Sequence, residues 1–176
     1  FTIAGCTTHS LATDFAGIVL SQLVRKGSFC VGCSENRFME PATGDMGNVV
    51  PEFMADMAMR QARSHFGLPP LAGGGGSSRA QRFNQDAAKD IAMMFRRSFY
   101  MRPGMLDYMG SIDTGISYSL HALLLCNDLA GMLRCMWKGI PADDEHLALD
   151  LTQSVGLRGN YLAERHTAKH CRVNYW

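Results

Sequence analysis

Apolar positions along the chain follow two alternating rhythms. Short apolar runs suited to strands occur at 1–5, 29–33, 68–72 and 105–109, and segments with helical apolar spacing lie between them at 11–25, 49–66, 85–101 and 120–138. Pro51 and Glu52 mark the first turn of the second helix, and Pro103-Gly104 supplies the break before the fourth strand. A further helix is predicted over 141–155. There Asp143, Asp144 and Glu145 complement the positive end of the helix dipole, and the Gly156–Gly159 segment ends it.

Strand and helix in strict alternation, with each helix long enough to cross over, predict an α/β fold with a parallel sheet and right-handed connections. The predicted loops after the strands (34–48, 73–84, 110–119) are long and polar, whereas those after the helices are about two to four residues. That asymmetry favours a βα-barrel (TIM barrel) with its site built from the βα loops, and a doubly wound sheet is the alternative. About four βα units make half of an eight-unit barrel, which typically needs roughly 250 residues. The chain, 1–176, is therefore expected to be a single partial βα-barrel domain with a C-terminal helical and loop segment, part of a longer protein. An open half-barrel exposes strand edges and apolar faces, so self-association into a homo-oligomer is expected.

Composition narrows the partners. With 47% apolar residues in 176, the chain can bury a real core, and 17 basic against 16 acidic side chains leave it near neutrality. No basic block or aromatic-interleaved Lys/Arg run points to nucleic acid, and Arg96-Arg97 reads as the solvated face of a helix. No apolar run approaches the roughly 18 residues of a membrane span, and no basic flank of a signal peptide is present. A cytoplasmic protein is expected. Six cysteines without framework spacing read as buried thiols. Cys30 and Cys33 form a C-x-x-C, but a single pair at the end of a predicted strand points its side chains to opposite faces and makes a poor zinc site. His166 and His170 have the spacing of a zinc-protease helix, yet Thr167 stands where the catalytic glutamate belongs, so no metal site is assigned.

The most distinctive local stretch is 67–88, GLPPLAGGGGSSRAQRFNQDAA. Glycines allow close backbone approach to a ligand, and the helix that follows offers free N–H groups at its start, so Gly74, Gly75 and Gly76 are candidate substrate-binding positions. The loop lacks the Gly-Lys-Ser/Thr of a P-loop, which argues against a phosphate-binding enzyme.

Several segments in order resemble the trimethylamine:corrinoid methyltransferase family. They are GIVLSQLVRKG (17–27), Pro51-Glu52 followed by MAMRQARSHFGLP (57–69), the glycine-rich loop, SYSLHALLLCNDLAGMLRCMWKGI (117–140) and GNYLAERHTAKH (159–170). The family includes pyrrolysine-containing trimethylamine enzymes of methanogenesis and pyrrolysine-lacking relatives that act on betaines. The resemblance implies an eight-fold βα barrel that moves a methyl group from an amine to the cobalt of a partner corrinoid protein. The cofactor is then supplied by that partner and not bound directly. Co(I) is itself a strong nucleophile, so the barrel's task is to hold a small methylated amine with one methyl facing the cobalt and to exclude water.

A quaternary ammonium calls for aromatic faces and carboxylates. Tyr108 and Tyr118, at or after the predicted fourth strand, and Asp113 between them are the candidates, with Asp113 matching an acidic position of the family and assigned the catalytic role. Glu52 is read as a helix-start residue and the His166–His170 segment as a docking element of the barrel rim. The chain departs from the family's pattern at Arg79-Ala80-Gln81 and Asn84-Gln85-Asp86-Ala87. It also has His121, a candidate substrate-binding residue, where many relatives have Glu. Arg79 facing the pocket would repel a cationic amine. The resemblance places pyrrolysine near Pro70, which has no reactive side chain, so the pyrrolysine-lacking branch and a quaternary substrate are implied. The alternative is a non-catalytic, degenerate barrel that serves as a binding module.

Overall fold

The computed structural model describes residues 2–32, 34–44, 46, 49–69 and 75–171. It divides into two compact units, Phe1–Leu129 and Ala130–Trp176. Among the described residues of the first unit, three helices carry the architecture: α1 (Ile3–Val24), α2 (Val49–His65) and α3 (Gln85–Met101). α1 packs on α2 and α2 on α3. A fourth helix, α4 (Leu120–Trp137), begins in the first unit and continues into the second.

The helices predicted at 49–66, 85–101 and 120–138 are present within a residue or so of their expected bounds. For α3 the cause is local, because the Asn84 side chain accepts a hydrogen bond from the Ala87 N–H and caps the first turn. Its buried face, Ala87, Ile91, Met94, Phe95 and Met101, joins Ala55 and Met59 of α2 in the core of the first unit.

The strands differ from expectation. Residues 3–5 open α1 instead of forming a strand, because Thr2 caps the helix by accepting from the Gly5 N–H, 3.1 Å. Residues 29–32 of the strand expected over 29–33 pair with no neighbouring strand, and Cys33 lies outside the described residues. The Gln22 side chain donates to the Ser28 carbonyl (2.8 Å), and Asp14 and Arg63 take the Ser34 N–H and carbonyl (3.0 Å each). Side chains from two helices thus hold the backbone at Ser28 and Ser34, on either side of the expected strand. Leu68 and Pro69 are not in a strand, and the rest of that predicted element lies outside the described residues. Residues 105–109 are irregular, and the strand falls just after them. β1 (Ser111–Ile112) pairs antiparallel with β2 (Ser117–Tyr118), Ser111 opposite Tyr118 and Ile112 opposite Ser117, around a short 3-10 turn, Asp113–Gly115.

The expected parallel sheet is therefore replaced, among the described residues, by this antiparallel pair of two-residue strands. Hydrogen bonds from Gly110 N–H to the Gly76 carbonyl (3.3 Å), Ser78 N–H to the Ser111 carbonyl (3.0 Å) and Asp113 N–H to the Ala80 carbonyl (3.0 Å) lay 76–80 beside 110–113, both running in the same direction. The segment after the glycines and the segment before α4 are thereby brought together.

Four charged or polar side chains form the ionic frame of the first unit. Arg63 of α2 places Nε and Nη2 on the Asp14 carboxylate of α1 at 2.9 and 2.7 Å, with both side chains nearly sealed. Arg97 of α3 pairs with Asp56 of α2, and Arg97 is 6% exposed. The reading of Arg96-Arg97 as a solvated face is thus corrected for Arg97, which is buried and points inward to the part-buried Asp56 carboxylate.

In the second unit, the helix expected over 141–155 is two helices, α5 (Asp144–Leu147) and α6 (Leu149–Val155). Ala148, with φ of 48°, interrupts them in the left-handed region. Asp143 caps α5 by accepting from the His146 N–H, 2.9 Å. A last helix, α7 (Arg165–His170), follows.

Candidate functional site

The first unit holds a cavity of about 190 Å³ whose floor and rim differ in character. The floor is made by Glu52 of α2, Asp90 and Met94 of α3, Ser78 and Ser111, all buried. Arg79, Tyr108, Thr114 and Gly115 form the exposed rim. The pairing of 76–80 with 110–113 is what brings Ser78 and Ser111 to the same cavity.

Glu52 is the most telling floor residue. Only 3% exposed, it faces the Arg37 guanidinium across 3.5 Å through Oε2, while Arg37 binds Glu35 more closely at 2.7 Å. Burial pushes the Glu52 carboxyl above its ordinary value, Arg37 pulls it back, and the neighbouring Asp56 adds to the rise. Asp56 is likewise pushed up by burial and pulled down by Arg97. Glu52 Oε1 and Ser111 Oγ are both sealed from solvent and have no hydrogen-bond partner among the described residues. Orphaned buried polar atoms are rare and costly; these two are on residues lining one cavity, whereas Asn36 Nδ2 and Arg97 Nε are orphaned outside it. Asp90 is partly satisfied, accepting from Ser78 Oγ at 3.0 Å. The 108–114 loop beside the cavity also holds backbone strain. Tyr108 (φ 51°), Asp113 (53°) and Thr114 (54°) are non-glycine residues in the left-handed region, a conformation that clusters at functional sites.

The cavity gathers some of the residues expected from sequence and leaves others apart. Tyr108 is on the rim. Asp113 is half-buried in the same loop, between cavity residues Ser111 and Thr114, and does not line the cavity itself. Tyr118, 69% exposed on β2, and His121, stacked on Phe83 with ring centroids 6.1 Å apart, lie outside it. Gly75 and Gly76 meet protein in place of a ligand. A Cβ on Gly75 would fall 1.3 Å from the Asp107 carbonyl oxygen, and one on Gly76 would fall 2.0 Å from Cys126 Sγ. Gly74 lies outside the described residues. The sequence reading missed Arg37, Ser78, Asp90 and Ser111 as cavity residues and gave Glu52 only a helix-start role. The Pro51-Glu52 pair was visible, but nothing local distinguishes a dipole-complementing glutamate from a buried one.

Two other clusters were singled out by sequence. In the second unit Glu145 accepts from Lys169 and from His170 Nε2 (3.1 Å), and His166 Nε2 lies 2.7 Å from the Glu145 carbonyl. These contacts tie α7 to α5. Among the described residues no group of His, Cys, Asp and Glu is arranged to hold a metal ion. Of the described cysteines only Cys126 is buried. Cys6, Cys30 and Cys135 are half-exposed and Cys171 is exposed, which corrects the expectation of buried thiols. Cys33 of the C-x-x-C lies outside the described residues. Among the described residues no helix is long and apolar enough to cross a membrane.

The whole chain, residues 1–176, matches the family described as Trimethylamine methyltransferase (MTTB). The chain belongs to that family. It is 28% identical over 176 residues to trimethylamine methyltransferase MttB of Desulfitobacterium hafniense (strain DSM 10664 / DCB-2), covering 98% of this chain and 35% of that protein. It is 28% identical over 168 residues to trimethylamine methyltransferase MttB of Methanosarcina barkeri (strain Fusaro / DSM 804), covering 94% and 33%. To glycine betaine methyltransferase of Desulfitobacterium hafniense (strain Y51) it is 23% identical over 175 residues, covering 99% and 36%. The chain thus spans about a third of the length of the curated relatives it matches.

Proposed function

We propose that this chain is part of a methyltransferase that holds a methylated, quaternary amine in the Glu52–Asp90–Ser111 cavity while a methyl group passes to the cobalt of a corrinoid protein. The observation that carries the reading is the family match along the whole chain, to relatives named for trimethylamine and for glycine betaine. The size and chemistry of the cavity support it. A space of about 190 Å³ admits a small amine and no corrin macrocycle, so the corrinoid is a second substrate presented by a partner protein.

When bound, Co(I) supplies the nucleophile: the N–CH3 bond breaks, the methyl joins cobalt, and the nitrogen keeps the electron pair as the amine leaves. The chain's own residues position and shield. Glu52 and Asp90 set negative charge against the ammonium, and Met94 gives an apolar wall that keeps water from the methyl groups. Tyr108 at the rim presents an aromatic edge to the entry. Asp113 keeps its assignment as an acidic residue of the site through its position in the strained 108–114 loop. The same reading makes the chain part of an eight-fold βα barrel completed by the remainder of its polypeptide, acting as a homo-oligomer. A reducing cytoplasm suits both Co(I) and free thiols.

The test is methylation of cob(I)alamin by the full-length polypeptide that contains this chain, with glycine betaine, carnitine and trimethylamine as donors and Asp113→Ala and Glu52→Gln as comparisons. Methylation from a quaternary donor, reduced at least about tenfold in either variant, is the expected result. A folded protein that methylates cobalt from none of the donors would instead be a non-catalytic binding module.

A further inference from the structure

Arg37 divides its guanidinium between two carboxylates. Nη2 lies 2.7 Å from the exposed Glu35, and Nη1 lies 3.5 Å from the sealed Glu52. The first is the distance of a charge-assisted hydrogen bond, and the second is longer than one. Arg37 also lines the cavity alongside Glu52, and its side chain is 40% exposed. It can therefore leave Glu52 without being stranded, because Glu35 and solvent remain to it.

The other charges around Glu52 are committed elsewhere. Asp56, one turn along α2, is paired with Arg97 of α3. Asp90 of α3 accepts from Ser78 Oγ at 3.0 Å, and Arg79 and Tyr108 stand on the rim. Burial raises the Glu52 carboxyl and Asp56 adds to the rise, while Arg37 is foremost among the groups that lower it, ahead of Arg97 and the Phe38 backbone amide. Arg37 is thus the main cation acting on Glu52, and its closer bond is to another residue.

We infer that Arg37 is a positioning residue for Glu52, a resident counter-ion that keeps the buried carboxylate ionised in the free protein and yields it to the ammonium of the amine, the guanidinium falling back on Glu35. The inference rests on the amine reading above and adds to it an exchange of cations at Glu52. Arg37 then acts in two opposite senses. As a rival cation it weakens amine binding wherever Glu52 is ionised, and as a counter-ion it extends the ionised range of Glu52 to lower pH.

Calorimetric titration of the full-length polypeptide with tetramethylammonium, which has no anionic end to meet an arginine, reads both effects across pH. In Arg37→Gln the affinity on the alkaline side is expected to rise about threefold, and the acid limb, where protonation of Glu52 abolishes binding, to move to higher pH. Arg37→Lys should return the limb toward its original position. Glu35→Gln, at an exposed site, takes away the guanidinium's other partner and is expected to weaken binding about threefold, which tests the exchange even if Arg37→Gln fails to fold. Binding weakened by one factor at every pH in Arg37→Gln, with the limb unmoved, would mark a purely structural arginine and overturn the inference, as would a Glu35→Gln variant that binds like the unaltered protein. If tetramethylammonium binds at no pH yet cob(I)alamin is methylated from glycine betaine, the Arg37 inference fails and the amine reading stands. If it binds at no pH and no donor methylates cobalt, the amine reading fails and takes this inference with it.

Discussion

Glu52 in the first unit and Glu145 in the second are both glutamates in the opening turn of a helix facing cations, yet they end in opposite states. Glu52 is sealed, and burial drives its carboxyl upward against the pull of Arg37. Glu145 is half-exposed, and hydrogen bonds from Lys169 and His170 hold its carboxyl below the ordinary value. The contrast teaches that burial, and not the presence of a cation, sets the direction in which a helix-start carboxyl is shifted. A buried carboxylate with an unused oxygen costs stability. An exposed carboxylate with bonded cations carries no such debt.

The pH signs follow from that difference. Because the raised Glu52 holds a proton over the interval above the ordinary carboxylate value where the unfolded chain has lost it, folding stability from this group falls as pH rises through that interval. Amine binding runs the other way and is lost as pH falls through the same interval, since the neutral carboxyl no longer matches the ammonium. For Glu145, with a lowered carboxyl, the stabilisation is present above the ordinary value and disappears as pH drops through the lowered one.

The sharpest way to break the comparison is at the buried ion pair of the first unit. Arg63→Ala strands the sealed Asp14 carboxylate and is expected to destabilise by about 3–5 kcal/mol in urea unfolding. If that variant unfolds no earlier than an exposed-pair variant of the second unit, burial is not what distinguishes the two regions. Gly76→Ala is expected to cost about 1–3 kcal/mol, because the new Cβ meets Cys126 Sγ and α4 or the loop must give way. Glu52→Gln should leave unfolding at neutral pH unweakened while lowering quaternary-amine affinity about tenfold, which separates a ligand residue from a structural one. The smallest effect belongs to Glu145→Gln, which should produce no resolvable change in Tm at neutral pH and only flatten the acid limb of the stability profile.

Much of the helical organisation was legible in the sequence because it is written locally. Apolar residues recur at helical spacing along 85–101, and Pro51 and Glu52 announce α2. The strands were not, since a short apolar run becomes a strand only when a neighbour supplies hydrogen bonds. At 3–5 the chain is helical behind the Thr2 cap, and on either side of 29–32 Gln22, Asp14 and Arg63 hold the backbone at Ser28 and Ser34. The site was legible only in part for a related reason. Tyr108 and the 108–114 loop stood out by their position before α4. The partners of Glu52 and the orphaned Ser111 hydroxyl depend on contacts between 34–37, α2, 76–80 and 110–113 that no local pattern encodes. Gly75 and Gly76 illustrate the converse. The glycines were visible and their need for close approach was inferred, but what approaches them is Asp107 and Cys126.

The most direct test of the central claim is cob(I)alamin methylation by glycine betaine, comparing the full-length polypeptide with its Glu52→Gln variant of confirmed fold. The account predicts methyl transfer by the unaltered protein and a loss of at least about tenfold in the variant. Equal rates in the two proteins would contradict the assignment of the Glu52 cavity as the amine site.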